Sequence, residues 1–203
     1  MRARLRLALS LRVLPARVAL FYWRAQRLAR RDDDRFSLAS AARPAELAEL
    51  LSLARGRGAV VELGTGTAWS AIALALDDPV RRVISYDPCV RVEREGYVVL
   101  AGQGVRERIE LREEPDSNGP HAGDAPVEML FIDSHHEREP VVSAFRAWRD
   151  ALAPNAVVVF HDYGHPDYPG VAEGIADMGL SGVENGGLFV WRVAAGGAVE
   201  AAR

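Results

Sequence analysis

From Ala59 onward, short apolar runs alternate with stretches of helical period, and that alternation confines the chain to a parallel sheet covered by helices on both faces. The runs Ala59 to Leu63, Val83 to Tyr86, Ile109 to Leu111, Val127 to Ile132 and Ala156 to Phe160 read as strands. Between them, Ala68 to Leu76, Glu93 to Leu100 and Val141 to Leu152 read as helices, the last with Val141, Phe145, Trp148 and Leu152 inward. A helix opened by Pro44 precedes the first strand, with Leu47, Leu50, Leu51 and Ala54 on one face and Gly56 and Gly58 ending it. After a helix near Val171 to Met178, Gly186-Gly187 forms a hairpin turn into Leu188 to Val193. The expected fold is therefore α/β, a doubly wound, Rossmann-like and mostly parallel sheet closed by a C-terminal antiparallel hairpin.

Several classes are excluded early. No uncharged apolar run reaches the length of a membrane span, and the single Cys89 rules out an internal disulfide or a multi-cysteine zinc site, so a reducing cytoplasm is expected. All 25 basic residues are Arg, which removes every mechanism that needs a lysine base or Schiff base. Positions 1–31 hold nine Arg and no acid, leaving 16 Arg against 28 acids in the rest. In that basic arm Val18, Phe21, Tyr22, Ala25 and Ala29 share a helical face, while Arg17, Arg24, Arg27 and Arg31 lie elsewhere beside Trp23. Leu5 to Val13 alternates at period two but has helix-favouring residues, so its form stays open, and Pro15 separates the two pieces. Such an arm suits a transit peptide, peripheral contact with a membrane, a nucleic-acid contact, or a helix packing on its own acidic domain or a second subunit. Asp32, Asp33 and Asp34 mark a boundary between an arm over 1–35 and a domain over 36–203.

Ligands of open α/β sheets bind beyond the carboxyl ends of the strands. Those ends carry Glu62 followed by Gly64-Thr65-Gly66-Thr67, then Asp87, Asp133, and His161-Asp162. Gly64 and Gly66 let a ligand approach the backbone at a helix start. A dinucleotide fingerprint would need a third glycine where Trp69 stands, so a nicotinamide cofactor is disfavoured. Asp87 still suits free ribose hydroxyls, which points to an adenosine without a pyrophosphate.

Val60-Val61-Glu62-Leu63-Gly64-Thr65-Gly66 resembles motif I of class I S-adenosylmethionine (SAM)-dependent methyltransferases, and Tyr86-Asp87-Pro88 resembles their acidic second motif. The resemblance spans roughly positions 44–193. It implies that the backbone of Gly64, Thr65 and Gly66 faces the methionine part, Asp87 the ribose, and Glu62 the loop or the ligand's amino group. Asp116-Ser117 is a candidate for the adenine, and Asp133 borders the cofactor as well.

Phe131-Ile132-Asp133-Ser134-His135-His136, followed by Phe160-His161-Asp162-Tyr163, is similar to small-molecule O-methyltransferases related to the macrocin and cephalosporin hydroxylase-like proteins. That likeness implies a divalent cation such as Mg2+ on Asp133 and Asp162, and His136 as the base beside Asp133. His161 departs from it, standing where these enzymes usually carry a carboxylate; if it ligates, the set Asp133, His161 and Asp162 favours manganese, iron or zinc over magnesium. Methyl transfer to an alcohol needs an aligned oxygen relieved of its proton, and without lysine a histidine or the metal must do this.

The reading is SAM-dependent O-methylation of a small hydroxylated metabolite, with no nucleic-acid substrate because the body is acidic. A homodimer could complete the pocket, as could the arm or the loop from Tyr163 to Pro169. The alternative is a non-catalytic nucleotide-binding domain recruited to a membrane or partner by its arm.

Overall fold

The computed structural model describes residues 10–194. A basic helix, α1 (Ala16–Arg31), leads through a short α2 (Arg35–Ser40) and α3 (Pro44–Leu53) into the first strand. The rest alternates as the sequence pattern requires: β1 (Ala59–Leu63), α4 (Trp69–Asp77), β2 (Arg82–Tyr86), α5 (Glu93–Ala101), α6 (Gln103–Arg106), β3 (Ile109–Arg112), β4 (Val127–Ile132), α7 (Arg138–Trp148), β5 (Leu152–Phe160), α8 (Pro169–Asp177), β6 (Val183–Asn185) and β7 (Leu188–Arg192). The strands form one seven-stranded sheet in the order β3-β2-β1-β4-β5-β7-β6. β7 alone runs antiparallel to its neighbours β5 and β6.

β1 pairs in parallel with β2 on one side and β4 on the other, so the strand order reverses there. At such a switch point successive crossovers leave on opposite faces and open a crevice at the strand ends. Adjacent residues divide between two cores. Val60, Met129 and Val157 pack with α1, α3 and α4, whereas Val61, Leu130 and Val158 pack with α7 and α8.

Most boundaries lie within two residues of the sequence expectation, and the one between α7 and β5 differs by four. The helix expected to reach Leu152 stops at Trp148, and β5 begins at Leu152, four residues before the expected Ala156. A 3-10 turn over Arg149–Ala151 joins the two, and Pro154 keeps helix from running further, because it cannot continue a helix and forces the residue before it into extended backbone.

The basic helix is part of the core. Val18, Phe21, Tyr22, Ala25 and Ala29, the face picked out by periodicity, are all buried. They close on Trp69, which makes edge-to-face contacts with Phe21, Tyr22 and Tyr97 at centroid separations of 6.3, 5.3 and 5.2 Å. The apolar face that a membrane-surface helix would present to lipid is thus occupied by the protein's own residues. No described helix is long and apolar enough to cross a membrane. Of the stretch Leu5 to Val13, the last three residues form a 3-10 turn, and positions 1–9 lie outside the described residues. Asp34, in the acidic triplet, is buried and caps α2 by accepting from the Ser37 backbone N–H at 2.9 Å.

Trp69→Ala is expected to destabilise the protein by about 3–5 kcal/mol, the usual cost of emptying a large aromatic site. It should also expose α1 to tryptic cleavage at Arg24 and Arg27. Urea melts and limited proteolysis check both, and a variant that resists trypsin like the wild type would contradict the anchoring of α1 on Trp69.

Candidate active site

The glycine turn after β1 is where the two halves of the sheet meet. Gly64 has φ 102°, and a Cβ there would lie 2.3 Å from the Asp133 carbonyl oxygen and 2.8 Å from the Ser134 nitrogen. Only glycine permits that approach. The turn is tied to both neighbouring strands, since Gly64 N–H donates to the Tyr86 carbonyl at 2.8 Å and Asp133 N–H to the Leu63 carbonyl at 2.8 Å. Thr65 turns its hydroxyl inward, 2.7 Å from Ser85 Oγ.

Glu62 lies under this turn, fully buried, and does not line the cleft above it. Its Oε2 accepts from Ser85 Oγ at 2.5 Å, while Oε1 has no hydrogen-bond partner. Burial pushes its carboxyl up to about 7, and the charges of Asp133 and Asp87 add to the rise while Ser85 opposes it. Near neutrality this group holds a proton that an exposed glutamate would have lost.

A cleft of about 890 Å³ opens over the strand ends, and Gly64, Thr65, Gly66, Asp87, Asp116, Asp133, His136, His161 and Asp162 all line it. On its β2 side Asp87 is already engaged. Oδ2 accepts from Gly66 N–H at 2.9 Å and from Arg94 Nη2 at 2.7 Å, and Oδ1 accepts from Cys89 N–H at 2.8 Å. A carboxylate offers roughly four acceptor positions, so one is left. Two ribose hydroxyls would need the Cys89 contact, which lies at the exposed rim, to give way. Arg94 is buried and also donates from Nε to the Gly66 carbonyl at 2.7 Å, so it fixes loop and acid together. Sequence spacing gave no sign of that role, because an arginine on the helix after β2 reads as surface charge.

Asp116 reaches the cleft from a 3-10 turn, but its carboxylate is taken up within the protein. It accepts from Ser134 Oγ at 2.7 Å and lies 3.2 Å from His135 Nε2. His135 and His136 both line the cleft, the first beside Asp116 and the second beside Asp162.

Beyond β4 and β5, three carboxylates surround two imidazoles. His161 Nδ1 lies 3.0 Å from Asp133 Oδ1 and 3.3 Å from Asp162 Oδ2, and its Nε2 lies 3.8 Å from Glu46 Oε2. His161 is 12% exposed, and Nδ1 aligns with neither oxygen as a hydrogen bond. Burial alone would depress its imidazolium, yet Asp133, Asp162 and Glu46 outweigh burial and push it up to about 12. His136 Nε2 lies 3.0 Å from Asp162 Oδ2, and this hydrogen bond raises His136 against the opposing effect of burial. Burial works to raise Asp162, but His136 and His161 hold it well below the usual carboxylate range. Asp162 itself has φ 55°, a left-handed conformation that aspartate tolerates better than most residues.

The His136 ring is braced from outside. Tyr168 stacks on it at 4.1 Å and on His165 at 4.7 Å. Gly170 makes this possible, since a Cβ there would lie 2.5 Å from the His136 carbonyl oxygen. Glu46 was missed as a site residue, because it sits before the first strand in a region read only as a helix, whereas Tyr168 belongs to the Tyr163 to Pro169 loop that the sequence offers as a wall of the pocket.

For a cation, the donor chemistry fits. Asp133, His136 and Asp162 each offer an atom within 4.8 Å of the others, and His161, an imidazolium between two of the same carboxylates, would have to give up its Nδ1 proton to join them. A mixed nitrogen and oxygen set of this kind suits manganese, iron or zinc better than magnesium.

Residues 61–163 match a family model described as a methyltransferase domain. No curated protein matches the chain. Among solved structures the chain is similar to the O-methyltransferase TomG from Streptomyces achromogenes, involved in tomaymycin synthesis and solved with SAM, at 20% identity and a TM-score of 0.65 over 89% of this chain and 91% of that one. It is also similar to the Bacillus cereus O-methyltransferase in complex with SAH, at 14% identity and a TM-score of 0.66 over 88% and 91%. A third, CalS11, a TDP-rhamnose 3'-O-methyltransferase of calicheamicin biosynthesis, matches at 16% identity and a TM-score of 0.59 over 72% and 77%. At these identities the likeness establishes the fold.

Because the folded state holds the Glu62 proton more tightly than the unfolded chain, stability falls as pH rises from about 4.5 towards 7. Glu62→Gln removes that penalty, at most about 3 kcal/mol above pH 7. Urea midpoints should show the variant gaining on the wild type between pH 5 and pH 8. A difference that stays constant across that range would contradict a protonated Glu62.

Proposed function

The chain belongs to the methyltransferase-domain family, and from that premise we propose that it transfers a methyl group from SAM to a hydroxyl oxygen of a small metabolite. The observation that carries the reading is the contact of Gly64 with the Asp133 backbone, which sets the cofactor turn directly beside the acidic acceptor side. When bound, SAM supplies an electrophilic methyl on a sulfonium. Gly64, Thr65 and Gly66 offer it a backbone surface, Asp87 keeps acceptor capacity for a ribose hydroxyl, and Asp133 borders both halves. TomG, CalS11 and the Bacillus cereus enzyme are all O-methyltransferases, which supports oxygen as the acceptor atom.

His136 is the proposed base. Its Nε2 is held by Asp162, which leaves Nδ1 to take the proton of the acceptor hydroxyl, and the stacked Tyr168 fixes the plane of the ring. Asp133, Asp162 and His161 would hold a divalent cation, which would lower the pKa of a bound hydroxyl. The acid-rich surround also favours neutral or cationic acceptors over phosphorylated ones and over nucleic acid.

Isothermal titration calorimetry of S-adenosylhomocysteine is expected to give micromolar affinity, abolished in Asp87→Ala; wild-type protein that takes up no ligand would sink the reading. His136→Ala should keep that affinity and lose at least a hundredfold in turnover of a hydroxylated acceptor. Manganese binding followed by electron paramagnetic resonance should vanish in Asp133→Asn and survive in His136→Ala. Its loss in His136→Ala would move His136 from base to ligand.

A further inference from the structure

Beside the cofactor turn, the wall of the cleft is built from the segment before the sheet. Phe36 on α2 stands there 40% exposed, with its Cε1 3.7 Å from where a Cβ on Gly66 would be. Arg91, from the loop that follows Asp87, lays its guanidinium 3.4 Å over the Phe36 ring centroid. Arg91 Nε is shielded from solvent and makes no hydrogen bond. An exposed aromatic ring and an unpartnered donor therefore share one stretch of wall, on the same rim as Asp87.

The ring is held in place by buried polar bonds. Asp34 accepts from Ser37 N–H at 2.9 Å, from Ser37 Oγ at 2.5 Å and from Tyr97 Oη at 2.6 Å, and Ser37 Oγ lies 2.8 Å from Thr67 Oγ1. Tyr97 belongs to α5 and Thr67 to the turn itself, so α2 is pinned to both elements that flank the ribose acid. Hydrogen bonds to its carboxylate keep Asp34 ionised despite burial. A surface loop would not need such anchoring, whereas a ring that must meet a ligand at fixed distance does.

We propose that Phe36 and Arg91 form a cofactor clamp, in which the aromatic ring packs on the nucleoside portion of SAM and the Arg91 guanidinium backs the ring. The inference rests on the SAM reading above and adds two binding residues outside the glycine and aspartate motifs. Asp34 is a positioning residue for the clamp. It acts on the ligand only through Phe36 and Thr67.

The test is calorimetry with two probes, S-adenosylhomocysteine and 5'-methylthioadenosine, the second lacking the amino-acid part. Phe36→Ala is expected to weaken both by about tenfold or more, the scale of losing one aromatic stacking contact. The thermal midpoint without ligand should change little, because the ring is half exposed. Phe36→Tyr should restore affinity, and Phe36→Leu, which keeps apolar bulk in the wall, should stay weak even if the alanine variant unfolds. Arg91→Met should weaken binding by several-fold. If the wild type binds both probes and Phe36→Leu binds them within twofold of it, the clamp is overturned while the methyltransferase reading stands. If weakening appears with S-adenosylhomocysteine alone, the ring does not touch the nucleoside and the clamp as stated fails. A wild type that binds neither probe removes both readings.

Discussion

The backbone contact between Gly64 and Asp133 is the constraint on which the remaining arrangement rests. It occurs at the point where the strand order reverses, so the end of β1 and the end of β4 are neighbours by topology before any side chain is chosen. A side chain at position 64 would separate them by the width of a methyl group or more. With glycine there, a ligand lying on the turn is within reach of the carboxylates and imidazoles beyond β4 and β5. The sheet thus sets the distance between the glycine turn and the cluster of carboxylates and imidazoles. The side chains only decide what chemistry happens across it.

Charge on the acceptor side follows from that placement. Asp133 and Asp162 end adjacent parallel strands, and Glu46 approaches from α3, so three carboxylates converge in partly buried space. Such a group must be neutralised by cations or protons. His161 and His136 supply part of this within the protein, and a divalent ion would supply more. On the cofactor side, Arg94 does the equivalent for Asp87, a buried pair at 2.7 Å that leaves the acid oriented and still able to accept. The chain contains no lysine, so the cations that pair with these carboxylates are arginines and histidines.

How much could be read from sequence depended on how local the cause was. The central strands announced themselves because each is a mostly apolar run, and Ala59–Leu63 and Val127–Ile132 begin and end where that pattern says, whereas the exposed β6, Val183-Glu184-Asn185, carries no such mark. The face of α1 was equally legible from Val18, Phe21, Tyr22, Ala25 and Ala29. What that face packs on was not legible, because Trp69 is 40 residues or more from them and stood out only as the wrong residue for a dinucleotide site. The same distance hides Glu46, Arg94 and the Asp34–Tyr97 bond, whose partners are joined only by the fold. Residues at strand ends were found because topology alone assigns them a place. Residues that arrive at the site from helices carried no comparable mark.

Methyl transfer at this site requires a ligand that occupies the turn between β1 and β4. The most direct measurement is a crystal structure grown with saturating S-adenosylhomocysteine. It should show a ribose hydroxyl within hydrogen-bond distance of the Asp87 carboxylate and the amino-acid part against the backbone of Gly64 and Gly66. A ribose remote from Asp87, or a cleft without ligand under those conditions, would contradict it.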